Sequence, residues 1–139
     1  MTAELLAFLR ARLDEQEAAA AAAGGTSADW RALGTGIYCT ASLDDDVPPL
    51  VTTGPEVGGS DEDAARTEHI ALHDPAQVLR EVEATRGLLK QYTTPETDDG
   101  LTDALNQYRA IQRMAVDMAV RHLAQAYADH PDYQPQWHP

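Results

Sequence analysis

The chain has 139 residues, a formal net charge of -13 at pH 7 and an isoelectric point near 4.5. This length suits one domain with one core, so residues 1–139 are expected to fold as a single domain. The acidic charge excludes direct nucleic acid binding through a surface that matches phosphate groups, and no apolar run approaches the roughly 20 residues that span a bilayer.

The cysteine content and the N-terminal sequence indicate the cellular compartment of the protein. Cys39 is the only cysteine, so no internal disulfide can form. No basic leader precedes an apolar segment at the N-terminus, which excludes a secretory signal peptide. A cytoplasmic location is therefore expected.

The first predicted helix covers residues 3–23. Thr2 is placed to cap its first turn, and Gly24-Gly25 ends it. Its large apolar residues recur at helical spacing and form one stripe, which consists of Leu5, Leu6, Phe8, Leu9 and Leu13.

Residues 29–60 are predicted to form a hairpin with an acidic loop region. Two short β-prone segments, 37–40 and 50–53, flank the loop residues Asp44, Asp45 and Asp46. A two-stranded hairpin is marginal alone and must pack on helices, with Trp30 as the expected anchor.

The second and third predicted helices are separated by a single joint. Ser60 to Asp63 resembles a capping box with Asp in place of Glu, so the second helix begins there and runs to about Leu72. Asp74-Pro75 then combines an N-cap residue with proline at the first helical position. The third helix ends near Thr93, and its predicted core residues are Val78, Val82, Leu89 and Tyr92.

The last predicted helix runs from about Leu101 to Tyr127. Its predicted core positions alternate spacings of three and four and form a heptad seam, which consists of Leu101, Ala104, Tyr108, Ile111, Ala115, Met118 and His122. A second copy of the chain could pack against this seam, so a homodimer is compatible with the sequence. The sequence thus predicts an α+β, mainly α fold, with about four helices in a bundle and a short two-stranded hairpin.

The C-terminal tail, residues 128–139, contains too much proline to continue the helix. Its aromatic residues are expected to dock it on the body of the protein. Tyr127, Tyr133 and Trp137 also suit a protein-binding surface, because aromatic residues are enriched at interface anchors. The alternative is that these three side chains only fasten the tail to the helices.

A metal site is suggested by His69 and His73, which lie four residues apart and share one face of a helix. A zinc ion needs at least one further protein ligand, and the available candidates are Asp74, His122, His130 and Asp132. His130 and Asp132 would complete the set if the C-terminal tail reaches the pair. The alternative is structural, with His73 at the helix joint and His69 at the surface.

No catalytic constellation is found. Cys39 has no basic neighbour in the sequence to activate it as a nucleophile, and no glycine-rich loop carries the lysine and hydroxyl of a phosphate-binding motif. The sequence therefore favours a role that is not enzymatic.

Three segments carry a resemblance to a family. They are LLAFLRARLDEQE at residues 5–17, HIALHDPAQVLREVE at residues 69–83, and YADHPDY at residues 127–133 followed by Trp137. Together they resemble a family of short uncharacterised actinobacterial and actinophage proteins, a domain of unknown function. The chain departs from that pattern at residues 28–30, where Ala-Asp-Trp stands in place of Gly-Pro-Trp. The resemblance implies an actinobacterial or bacteriophage origin and an accessory role, and it assigns no catalytic residue.

Three functions remain after these exclusions. The first is a non-catalytic accessory domain, phage-derived, that binds a host protein through its acidic surface. The second is a small metal-binding protein that uses the His-x-x-x-His pair. The third is a purely structural accessory domain, which has neither a partner nor a metal and whose acidic charge only keeps it soluble.

Overall fold

The computed structural model describes residues 3–24, 27–40, 48–55, 58–93 and 103–139. Within them are four α-helices: α1 (Ala3–Gly24), α2 (Asp61–Leu72), α3 (Pro75–Thr93) and α4 (Asp103–Gln125). Three strands form one antiparallel sheet in the order β1 (Trp30–Leu33), β2 (Gly36–Cys39), β3 (Val51–Thr52). A 3₁₀ turn, Pro135–Trp137, lies near the C-terminus. The predicted α+β, mainly α class is confirmed.

The chain divides into two compact units. Unit 1 comprises Met1–Leu13 and Ala84–Pro139, and unit 2 comprises Asp14–Glu83. The single domain expected from the length stays a prediction. None of the described helices is long and apolar enough to cross a membrane.

The sheet of unit 2 has one strand more than the sequence predicts. The pairing of Ile37 with Val51 joins the two predicted strands. The additional strand, β1, pairs with β2 through a tight turn in which Gly34 has a φ of 59°, a left-handed conformation that favours glycine. The predicted loop residues 44–46 lie outside the described residues.

Helix α2 packs against β1 and begins where the sequence predicts. The Ser60 hydroxyl accepts a hydrogen bond from the Asp63 backbone N–H, and the Asp63 carboxylate accepts one from the Ser60 backbone N–H. This reciprocal pair is a capping box, so aspartate replaces the usual glutamate successfully.

Asp74 forms the joint between α2 and α3. Its buried carboxylate accepts a hydrogen bond from the Gln77 backbone N–H at 2.6 Å, which caps α3 as predicted. The other carboxylate oxygen accepts one from the Trp30 backbone N–H at 3.1 Å. One side chain therefore begins a helix and positions the first strand.

The predicted apolar stripe of α1 is mostly buried. Leu5, Phe8 and Leu9 are buried in unit 1, while Leu6 is half-buried. In α3, Val82 and Leu89 are buried as predicted. Val78 is half-buried, and the Tyr92 side chain lies outside the described structure.

The predicted core of α4 is wrong. Leu101 lies outside the described residues, and the other six seam positions are all exposed. The buried residues are Val120 and Ala124, which lie on the opposite side of the helix near its C-terminal end. The heptad spacing identified a continuous apolar surface correctly, but unit 1 uses a different face for its core.

We predict that Asp74→Ala lowers the free energy of unfolding by about 1–3 kcal/mol, because it removes the α3 cap and leaves the Trp30 N–H without its acceptor. Chemical denaturation followed by circular dichroism measures this loss. Asp61→Ala is the matched control, since it removes the same charge from an exposed position in α2. Equal stability of the two variants would contradict the assigned role.

Candidate functional site

The histidine pair lies at the C-terminal end of α2, in unit 2. His69 is in the last turn, and His73 follows the helix as its C-cap. Both side chains are exposed, and the ring centroids are 4.8 Å apart in an edge-on arrangement. The predicted placement of both rings on one face is therefore observed.

An open groove of about 430 Å³ lies beside this pair and includes His69 in its wall. Most of its exposed lining is apolar. The other lining residues are Thr53, Glu62, Ala65, Arg66 and Ile70.

Two hydroxyl groups attach the end of β3 to α2 below this groove. The Thr53 and Thr67 oxygens are 2.6 Å apart, and each lies within 2.9 Å of the Asp63 carbonyl oxygen. Thr67 is fully buried, so this network satisfies a polar group that would otherwise destabilise the unit. Sequence reasoning missed this network, because nothing in the spacing of the two threonines indicates that they meet.

Charged groups along the groove edge are paired. Arg66 donates to Glu62 at 2.6 Å and to Asp63 at 2.9 Å. Hydrogen bonds from the backbone and the side chain of Ser60 hold the pKa of Asp63 below its ordinary value, and Arg66 lowers that pKa further. Asp63 therefore stays ionised, which suits a structural cap and not a proton donor.

The predicted metal ligands are divided between the two units. His69 and His73 belong to unit 2, whereas His130 and Asp132 belong to unit 1. Over the described part of the chain, no group of three or more His, Cys, Asp or Glu side chains is arranged to hold a metal ion. The four-residue set stays a prediction.

In unit 1, a buried arginine contacts His130 and Asp132. The Arg12 guanidinium lies 2.8 Å from His130 Nδ1 and 3.7 Å from the Asp132 carboxylate. It also lies over the Phe8 ring at 5.2 Å, a cation–π distance. A metal ion at His130 and Asp132 would have to displace this cation. Arg12 follows Phe8 by four residues and Leu9 by three, so the helical spacing of the α1 stripe could have identified it.

Tyr127 and the aromatic residues of the tail pack around Phe8. Its ring lies 6.2 Å from Tyr127, 6.1 Å from Tyr133 and 4.9 Å from Trp137. Trp137 is almost completely buried, and Tyr127 and Tyr133 are half-buried. The tail is thus held by the first helix of its own unit. A protein-binding role for these three residues stays a prediction.

Charge is distributed very unevenly between the units. Residues 14–83 contain 15 aspartates and glutamates but only three arginines, so unit 2 carries a net charge of -12. The remaining residues, which form unit 1, carry only -1.

The chain belongs to a family of unknown function, DUF6221, whose family model matches residues 2–139. No curated protein and no solved structure was found to be similar. The family membership agrees with the resemblance seen in the three sequence segments. The actinobacterial or phage origin stays a prediction.

We predict that Trp137→Ala lowers the free energy of unfolding by about 3–5 kcal/mol, because it empties the space that the indole fills beside Phe8. The loss is measured by urea denaturation. His138→Ala, at the exposed neighbouring position, is expected to change stability little. A Trp137 variant as stable as the His138 variant would contradict docking of the tail.

The metal prediction is tested by elemental analysis of protein purified without an affinity tag. If the histidine pair contributes to a zinc site, stoichiometric zinc is present, and added zinc raises the melting temperature of the wild type but not of His69→Ala. Absence of stoichiometric metal together with an unchanged melting temperature would contradict it.

Proposed function

We propose that this chain is a non-catalytic accessory domain that binds a basic protein partner through the acidic surface of unit 2. The concentration of a -12 net charge in that unit carries the proposal. The concentration of acidic residues in one unit gives it a surface that attracts basic partners and repels polyanions. The family resemblance makes the proposal more specific. In that version the chain is phage-derived and its partner is a host protein.

The exposed side chains of unit 2 support this proposal. Asp61, Glu62 and Glu68 are exposed on α2, and Glu83 is exposed on α3. Leu72 is 71% exposed near the same end of α2 as the histidine pair. The groove beside His69 is mostly apolar and has Glu62 in its wall, so unit 2 presents apolar and acidic surface together.

The chemistry of the partner follows from the sign of the charge. A protein surface rich in lysine and arginine would be attracted to unit 2, and the attraction would speed association at low ionic strength. Since exposed charges are screened within about 10 Å at 0.1 M salt, binding is expected to weaken as salt rises.

The test compares two triple variants that remove the same charge from different units. The first, Asp61→Asn with Glu68→Gln and Glu83→Gln, changes the net charge of unit 2 from -12 to -9. The second, Glu4→Gln with Asp103→Asn and Asp129→Asn, changes the net charge of unit 1 from -1 to +2. All six positions are exposed, so neither variant disturbs a core.

We predict that immobilised wild-type protein retains a basic protein from cell extract at about 50 mM salt and releases it at about 300 mM, as screening requires. The unit 2 variant retains at least tenfold less of it, while the unit 1 variant retains the wild-type amount. Quantitative mass spectrometry of the eluates measures both. Equal retention by the two variants, or no retained protein at low salt, would contradict the proposal.

A further inference from the structure

The exposed face of α4 is the largest feature of unit 1 that the proposed function leaves unexplained. The α4 seam, defined here as Ala104, Tyr108, Ile111, Ala115, Met118 and His122, is exposed at every position. Leu105 and Met114 flank it and are exposed as well. The five large apolar side chains of this surface, Leu105, Tyr108, Ile111, Met114 and Met118, are between 41% and 63% exposed.

This surface is continuous and has the periodicity of a helix interface. From Leu105 to Met118 it extends for about 20 Å along the helix axis. A repeat of 3.5 residues is what keeps one face of a helix against another helix, whereas packing on an irregular core imposes no such regularity. The partner that fits this face is therefore another α-helix.

The local charge agrees with self-association. Residues 104–116 contain two arginines and no aspartate or glutamate, in a chain whose net charge is -13. The seam positions and the flanking Leu105 and Met114 carry no carboxylate. Two copies of a chain with a net charge of -13 repel one another overall, and this face lets them meet without opposing carboxylates.

The seam is also complementary to itself when two copies run antiparallel. With the twofold axis at residue 113, Ile111 lies opposite Ala115 of the second copy, and Tyr108 lies opposite Met118. Ala104 then lies opposite His122. A parallel pair would instead place Tyr108 on Tyr108 and Ala115 on Ala115, so wide and narrow layers would alternate and leave gaps. In the antiparallel arrangement no alanine faces another alanine, since Ile111 lies opposite Ala115 and His122 lies opposite Ala104.

We propose that two copies of this chain form an antiparallel homodimer through the α4 seam. The interface is distinct from the acidic surface of unit 2, so the dimer and the basic partner use different surfaces.

The two interactions also differ in their response to salt. Screening weakens attraction to a basic partner but relieves repulsion between two acidic copies, so the dimer is expected to persist or tighten as salt rises.

The first test measures the mass of the full chain by sedimentation equilibrium over a range of concentrations and salt. The wild type is expected to approach twice its 15.1 kDa mass. Ile111→Glu places a charge in the seam of each copy and is expected to raise the dissociation constant at least tenfold. Ala110→Glu is the matched control, because it adds the same charge one residue away at an exposed position outside the seam.

Ile111 is already exposed, so its substitution leaves the core intact, and circular dichroism of both variants verifies this. A wild type that stays monomeric at about 100 μM would overturn the proposal. Equal weakening by the two substitutions would overturn it as well.

The second test determines the orientation with single cysteines in a Cys39→Ser background. Antiparallel packing predicts that an equimolar mixture of Ile111→Cys and Ala115→Cys chains forms the mixed disulfide on mild oxidation. Parallel packing would instead join two Ala115→Cys chains to each other, and that product would overturn the proposed arrangement.

Discussion

The two hydrogen bonds that the Asp74 carboxylate accepts are the constraint on which the arrangement of unit 2 depends. The carboxylate accepts one backbone hydrogen bond from the first turn of α3 and another from the first residue of β1. A rigid group with two acceptors fixes the distance between two segments that are 44 residues apart in the sequence. Helix α2 ends at Leu72, two residues before Asp74, and packs on that same strand, so this joint places the histidine pair and the groove beside it. Proline at the next position restricts the backbone where the helix begins, which reinforces the same geometry.

The separation of charge gives one small chain two different kinds of surface. Unit 2 holds nearly all of the net negative charge, and α4 in unit 1 contains a segment without any carboxylate. In the two proposals, long-range attraction would govern binding at the first surface, and burial of apolar area would govern pairing at the second. These two forces respond in opposite directions to ionic strength. A change in salt therefore separates their contributions without any substitution.

Local signals in the sequence predicted the helices and their caps, whereas features that depend on distant contacts were missed. Ser60 and Asp74 were recognised because a cap is decided within four residues. Strand β1 was missed because its four residues become a strand only when β2 and α2 cover them. The buried face of α4 was assigned to the wrong side, since periodicity reveals an apolar face but cannot say what covers it. The contact of Arg12 with His130 joins residues 118 positions apart, and no local rule predicts such a contact.

The placement of the two tryptophans has a practical consequence. Trp30 lies in unit 2, half-buried at the start of the sheet, and Trp137 is buried in unit 1. These are the only tryptophans in the chain, so each unit contains its own fluorescent reporter. Replacing either one with phenylalanine leaves a signal that follows the other unit alone. Intrinsic fluorescence can therefore reveal whether the two units unfold in a single cooperative transition or in sequence, without any external label.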